Sequence, residues 1–473
     1  EANKLLKHRG PDDFGFYKKK IDNISINLFH HRLSIIDLTS NGKQPFISED
    51  GRYTLLFNGE IYNYLEIKEE LEKNNIEFKT NTDTEVLLKS WIYWGRECLN
   101  KFNGMFAFTL FDLKEMKIFL IKDIFGMKPL YYFLNEDLFI FSSEIEPILK
   151  IIKKTKINSQ KAYDYISYSL HDNDRNTFFE NIHQLRPAEI ITFDIKSKKL
   201  SPQNWWSKNF KIKKISENQI IENTKNAFYQ NINKHLRSDV KVGVAISGGM
   251  DSSSIVFTLK KLNLLNNIEL ITVITTESKT NELNWISEIE TKLGKKIIKL
   301  FIDRKEIYEN ITNVIKIQNE PFGDISVIYE YLIFKKAKEL GLKVVIMGHG
   351  GDEIFWGYDG YPGIFFKKIF FSSNPLNAFK YLVHYKKSNV YNLSQIFKKI
   401  LFELSSNSLK TIFLGFSGYK KKPNWLKKNF LNKDLKLGVN YNSLNIKEPL
   451  YNKMLNSINF NSLHGSLISL DEK

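Results

Sequence analysis

The chain has 473 residues, 42% of them hydrophobic and 14% aromatic, so it is long enough for two or three domains and too apolar to be disordered. A formal net charge of +16 raises nucleic acid or an acidic membrane as partners. However, eight of the 69 basic residues are Arg and the rest are lysines scattered in short runs such as 18–20 and 420–422, a solvated surface rather than a nucleic-acid module. The single cysteine, Cys98, excludes an intrachain disulfide framework or multi-thiol metal site and suits a reducing cytoplasm, and no apolar run is long enough to span a bilayer.

From about residue 24 to 200, short alternating or apolar runs (ISINLFHHRLSIID, YTLLFNGEIYNY, MFAFTLFD, KIFLIKDIFG, LFIFSSE) are separated by Gly, Asn and Asp. They predict an antiparallel, β-rich α+β domain, with helices near LEIKEELEKN and TEVLLKSWIYW. Cys98 lies in a helical, apolar context and reads as core filler. After SPQNWWSKNFKIKK the period changes: a helix at ENQIIENTKNAFYQNINKHL precedes alternating strands and helices (VGVAI, SSSIVFTLKKL, ELITVITT, WISEIETKL, KIIKLFI, helices near 305–319 and 327–340, KVVIM). That alternation predicts an α/β, doubly wound parallel sheet with ligands at the carboxyl ends of its strands. The expected domains are 1–207 and 208–473, and the stretch from 364 onward reads as helical and aromatic-rich.

Within the second domain, VGVAISGGMDSSS (242–254) runs a buried strand into bare backbone. Gly248 and Gly249 let a ligand approach closely, and the amides beyond them begin a helix, where unpaired N–H groups favour an anion. Ser247, Ser252 and Ser253 add hydroxyls. Asp251 beside phosphates requires a divalent cation between them. The Walker spacing and its lysine are absent, so this is a different phosphate loop. KVVIMGHGGDEIFWGY (343–358) repeats the device, with Gly348, Gly350 and Gly351 leading into Asp352 and Glu353. A strand-to-helix turn with a Ser or Asp cap accounts for either stretch alone; two on one sheet edge point to a shared nucleotide site.

SGGMDSS resembles the pyrophosphate loop of the ATP-pyrophosphatases, and with GHGGDEIFWGY it is similar to the synthetase domain of glutamine-hydrolysing asparagine synthetases. The resemblance implies ATP and Mg2+, with Ala245, Ser247, Gly248, Gly249, Asp251, Ser252, Ser253, Val273, Met347 and Gly348 around the nucleotide. It makes Asp251 and Asp352 the metal ligands and places Asp352 and Glu353 in the catalytic machinery. HRGPDDFG, HHRLSIIDL, FNGEIYNY, TDTEVLL and GMKPLYY resemble the family's class II glutaminase domain, implying an Ntn-hydrolase-like antiparallel β sandwich with helices. There Arg32 would fork onto the glutamine carboxylate, Asp83 pair with its ammonium, Glu60 orient the amine, and Asn58 with Gly59 stabilise the oxyanion.

Three departures accompany the resemblance. The family's nucleophile is an amino-terminal Cys, whereas this sequence starts at Glu1, and it ends at NSLHGSLISLDEK before the family's later motifs. The expectation is a chain clipped at both ends. His349 stands where typical members carry Glu. The implied function is a cytoplasmic, ATP-dependent amidotransferase making asparagine from aspartate and glutamine through a β-aspartyl-adenylate. The alternatives are transfer to another carboxylate, on a sugar or peptide, or an intramolecular amide-forming cyclase. The implied partners are these small molecules, with no nucleic acid or membrane, and a homodimer is left open.

Overall fold

The computed structural model describes residues 2–168, 170–172, 174–206, 215–275, 282–355 and 357, with isolated positions between 365 and 405. The linker at 207–214, most of the expected helical stretch beyond 364, and the closing NSLHGSLISLDEK lie outside the described residues. By contact density the chain forms two compact units, one over Glu1–Lys156, Phe179–Gly348 and Ser466–Lys473 and another over Ile157–Phe178 and His349–Gly465.

In the first unit, strands β1 (Asp13–Ile21) and β2 (Ile24–Arg32) form a hairpin in which Asp13 pairs with Arg32. β3 (Phe46–Ile47), β4 (Tyr53–Ile61), β5 (Gly104–Asp112) and β6 (Lys117–Lys122) continue the chain, followed by β7 (Tyr131–Leu134), β8 (Phe139–Ser142), β9 (Ile182–Gln184), β10 (Glu189–Asp194) and β11 (Lys199–Asn204). Six of these form an antiparallel sheet of order β11-β10-β6-β5-β4-β3, and three form a smaller sheet, β8-β7-β9.

Period-two alternation sends each strand's side chains to both faces. Leu55, Phe57 and Ile61 of β4 pack with the helices Tyr64–Glu72 and Asp83–Trp94 in one core, which also buries Cys98. Leu56 faces the other way, toward a second core that holds Ile26 and Leu28 of β2 with Tyr132 and Phe193. The helix over 83–94 starts where the sequence supplies a cap, the Thr82 hydroxyl accepting from the Glu85 N–H at 3.1 Å.

Beyond the helix Glu217–His235, opened by a Ser216–Gln219 capping box, come β12 (Val242–Ala245), β13 (Ile268–Thr275), β14 (Ile298–Ile302) and β15 (Val344–Ile346). They form a fully parallel sheet of order β14-β13-β12-β15. One face packs on residues from the helices over 217–235, 250–261 and 282–293, and the other on those over 304–318 and 326–339. The antiparallel half is tied to this sheet by the Asp37 N–H donating to Asp239 at 2.8 Å, by Arg237 donating to the Tyr62 carbonyl at 2.7 Å, and by Lys343 donating to Asp12 at 2.7 Å. In the second unit, the helix Ser159–Tyr168 buries Lys161 against Asp174 at 2.8 Å, and a short helix spans Gly351–Phe355. No helix among the described residues is long and apolar enough to cross a membrane.

Candidate functional site

Two groups of sequence-predicted residues come together in the first unit. In the antiparallel half, β2 ends at Arg32, which is 7% exposed. Its Nη1 donates to the Thr39 carbonyl at 2.7 Å, and its Nη2 donates to those of Ile36 (3.1 Å) and Asp37 (2.6 Å). The guanidinium thus holds the loop that follows its own strand, and the Cβ that Gly42 lacks would fall 2.1 Å from its Nη2. Three of its five N–H donors are used in this way.

On β4, Asn58 and Glu60 alternate with the core residues Phe57 and Ile61, so they share the face of Leu56. The Asn58 side-chain nitrogen is buried with no hydrogen-bond partner. Between them Gly59 has φ +147°, and a Cβ there would lie 2.1 Å from the Met105 carbonyl oxygen. Asp83, in the first turn of its helix, accepts from the Ile61 N–H at 3.0 Å.

Burial, then the charge of Asp83, raises Glu60 to about 8, Lys128 opposing. Burial raises Asp83 to about 6, against the N–H donors of Ile61 and Thr84 and the charge of Arg32. At neutral pH the pair therefore carries mainly one negative charge, on Asp83, suited to an ammonium. Folded Glu60 keeps a proton that the unfolded chain releases near 4.5, so its contribution to stability is present below that pH and lost as pH rises toward 8. We expect Glu60→Gln to be as stable as the parent chain at pH 4 and more stable by about 3–5 kcal/mol at pH 9 in urea unfolding. Equal stabilities at pH 9 would contradict this.

In the parallel half, β12 is wholly buried and its Ile246 N–H continues the ladder to the Ile271 carbonyl at 2.8 Å. The chain then turns through Ser247, Gly248 (φ +77°) and Gly249 into the helix Met250–Lys261. The serines organise the turn. The Ser252 hydroxyl, 3% exposed, accepts from the Ser247 N–H at 3.1 Å and donates to the Gly249 carbonyl at 3.3 Å, while the Gly249 N–H donates to the Ser247 hydroxyl. Ser253 bonds through its backbone to the Gly249 carbonyl.

β15 lies directly beside β12, and its following loop closes on this turn: a Cβ at Gly348 would lie 3.1 Å from both Asp251 Cβ and the Ser252 nitrogen. The sheet order reverses between β12 and β15, so both glycine loops flank the topological switch point, where open α/β sheets bind ligands. Ala245, Val273 and Met347 pack in one apolar cluster. Asp352 and Glu353 lie in the helix over 351–355, Asp352 exposed and Glu353 buried. Among the described residues no three His, Cys, Asp or Glu side chains form a metal cage. Asp251 fits an ion such as Mg2+ that takes most of its ligands from phosphates and water.

Two family models match the chain: a glutamine amidotransferase domain over residues 1–206 and asparagine synthase over 223–427. A Methanocaldococcus jannaschii protein assigned to the glutamine-hydrolysing asparagine synthetases is 34% identical over 390 residues, covering 78% of this chain and 75% of that protein. The chain belongs to the glutamine-hydrolysing asparagine synthetase family. Bacillus subtilis asparagine synthetases 1 and 2 are 32% and 30% identical over 365 and 372 residues, covering 76% and 75% of this chain and 56% and 48% of their own lengths. The chain thus spans three quarters of the archaeal synthetase and about half of each bacterial one.

Sequence reasoning missed two residues that brace β4 beside Asn58. Gln44 accepts from the Phe57 N–H at 2.6 Å and donates to the Phe57 carbonyl at 3.2 Å, fixing β4 just before Asn58. His30 bonds the same carbonyl at 3.1 Å. Alternation along β2 was the available signal for His30, since it sets His30 on the face of Arg32. Gln44 carries no local signal. Cys98 is fully buried, which pushes its thiol well above the usual range and leaves it a packing role.

Proposed function

We propose that this chain is an ATP-dependent amidotransferase. Glutamine is taken up in the antiparallel half through Arg32, Asp83 and Glu60, with Asn58 and the Gly59 N–H facing the developing oxyanion. ATP lies across the tips of β12 and β15. The loop 247–253 holds its phosphates, and the backbones of Ala245, Val273, Met347 and Gly348 border the adenosine. Asp251 would hold magnesium, which when bound would offset the phosphate charge. Aspartate attacks the α-phosphorus through its β-carboxylate, pyrophosphate leaves, and ammonia displaces AMP from the β-aspartyl-adenylate to give asparagine. The setting is the reducing cytoplasm.

The observation that carries this reading is the approach of Gly348 to Asp251 and Ser252, which brings the end of β15 against the start of the helix after β12 at a spacing that a side chain would crowd. A second reading, transfer to another carboxylate, is favoured by His349. An imidazole in place of the family's typical Glu changes the charge beside the acceptor. Exchange of labelled pyrophosphate into ATP separates the two. The first reading expects exchange that depends on aspartate, whereas exchange only with other carboxylates moves the acceptor to the second. No exchange with any carboxylate rejects both.

A further inference from the structure

The inward face of β2 carries Ile26, Leu28, His30 and Arg32, and that of β4 carries Leu56, Asn58 and Glu60. Ile26, Leu28 and Leu56 meet in one core, so His30 and Asn58 look into the same space between the layers. A carbonyl only accepts, so the bond to the Phe57 oxygen at 3.1 Å places the His30 proton on Nε2. Nδ1 is then a bare lone pair, buried and without a hydrogen-bond partner, and the Asn58 amide nitrogen is a buried donor in the same condition. Burial, assisted by the charges of His31 and Arg32 and opposed by the Phe57 carbonyl, pushes His30 down to about 4. The ring is therefore neutral at neutral pH and its lone pair is retained.

A buried acceptor and a buried donor left open together define a ligand that has both. We infer that His30 is a specificity-determining residue: its Nδ1 lone pair and the Asn58 N–H are matched to the NH2 and C=O of a primary carboxamide. A carboxylate offers acceptors only, so one of its oxygens would face the lone pair. The pocket therefore takes glutamine and rejects glutamate, the product of its own hydrolysis. This rests on the glutamine reading above.

Saturation-transfer NMR on the full chain with glutamine and glutamate in one sample tests it. The parent chain is expected to favour glutamine by about tenfold or more. His30→Gln keeps a donor for the Phe57 carbonyl but has nothing at the Nδ1 position. It is expected to lose about tenfold of that preference while its melting temperature stays unchanged. His30→Asn, with an amide oxygen near the Nδ1 position, is expected to keep most of the preference and serves if His30→Gln is poorly folded. Full preference in a folded His30→Gln chain, or its loss in His30→Asn alone, overturns the inference while leaving the glutamine reading intact. Failure of the parent chain to bind glutamine overturns both.

Discussion

Gly59→Ala is expected to destabilise the first unit by more than about 4 kcal/mol, because the strain is in backbone and cannot be relieved by a rotamer. Gly59 pairs with Phe106 across β4 and β5, and its φ of +147° is a conformation that L side chains rarely adopt. An added Cβ would meet the Met105 oxygen at 2.1 Å and Phe106 Cα at 2.7 Å. Two residues along β5, opposite Ile61, a Cβ at Gly104 would lie 2.2 Å from the Glu60 oxygen, so the two strands approach too closely here for either to yield. Prying them apart displaces Asn58 and Glu60, which flank the glycine on the pocket side. Thermal unfolding followed by circular dichroism reads the loss directly. A melting temperature within about 2 °C of the parent would show that β5 yields without cost.

The second large effect is expected for Arg32→Met, which fills part of the volume but removes every donor. The carbonyls of Ile36, Asp37 and Thr39 then lose the guanidinium; only that of Ile36 belongs to a buried residue, so the loss costs about 1–3 kcal/mol. The change reaches further than the pocket. Asp37 has φ +55°, accepts from the Thr39 hydroxyl at 2.6 Å, and through its own N–H engages Asp239 of the parallel half. Urea unfolding and glutamine binding should therefore fail together, and Arg32→Lys should recover charge without recovering the three-carbonyl geometry. An Arg32→Met chain of parental stability would contradict the assignment of Arg32 as the support of residues 36–39.

The fold was legible where a local pattern decides it. The alternation along β2, β4 and β5 announced the antiparallel half, and the switch to strand-helix repeats at residue 217 announced the parallel sheet, because side-chain period follows backbone geometry. Both glycine loops were legible for the same reason, as apolar strands that end abruptly in residues without side chains. What could not be read was set by chain returns over long separations. The engagement of Arg32 with three carbonyls depends on how residues 33–42 fold back. The raised pKa of Glu60 comes first from its burial and then from Asp83, 23 positions away and brought close by the packing of its helix against β4. Nor does any local pattern place Trp285 at the turn over 247–249, where its Cβ lies 3.5 Å from the Cβ position of Gly248.

The central claim is that the switch point between β12 and β15 seats a magnesium-bound nucleotide. Calorimetric titration of ATP into the chain, with and without magnesium, tests it most directly. The account predicts saturable binding that requires the metal and weakens by about a hundredfold in Asp251→Asn, where a carboxylate ligand becomes a neutral amide. Absence of binding, or binding indifferent to both the metal and Asp251, would contradict it.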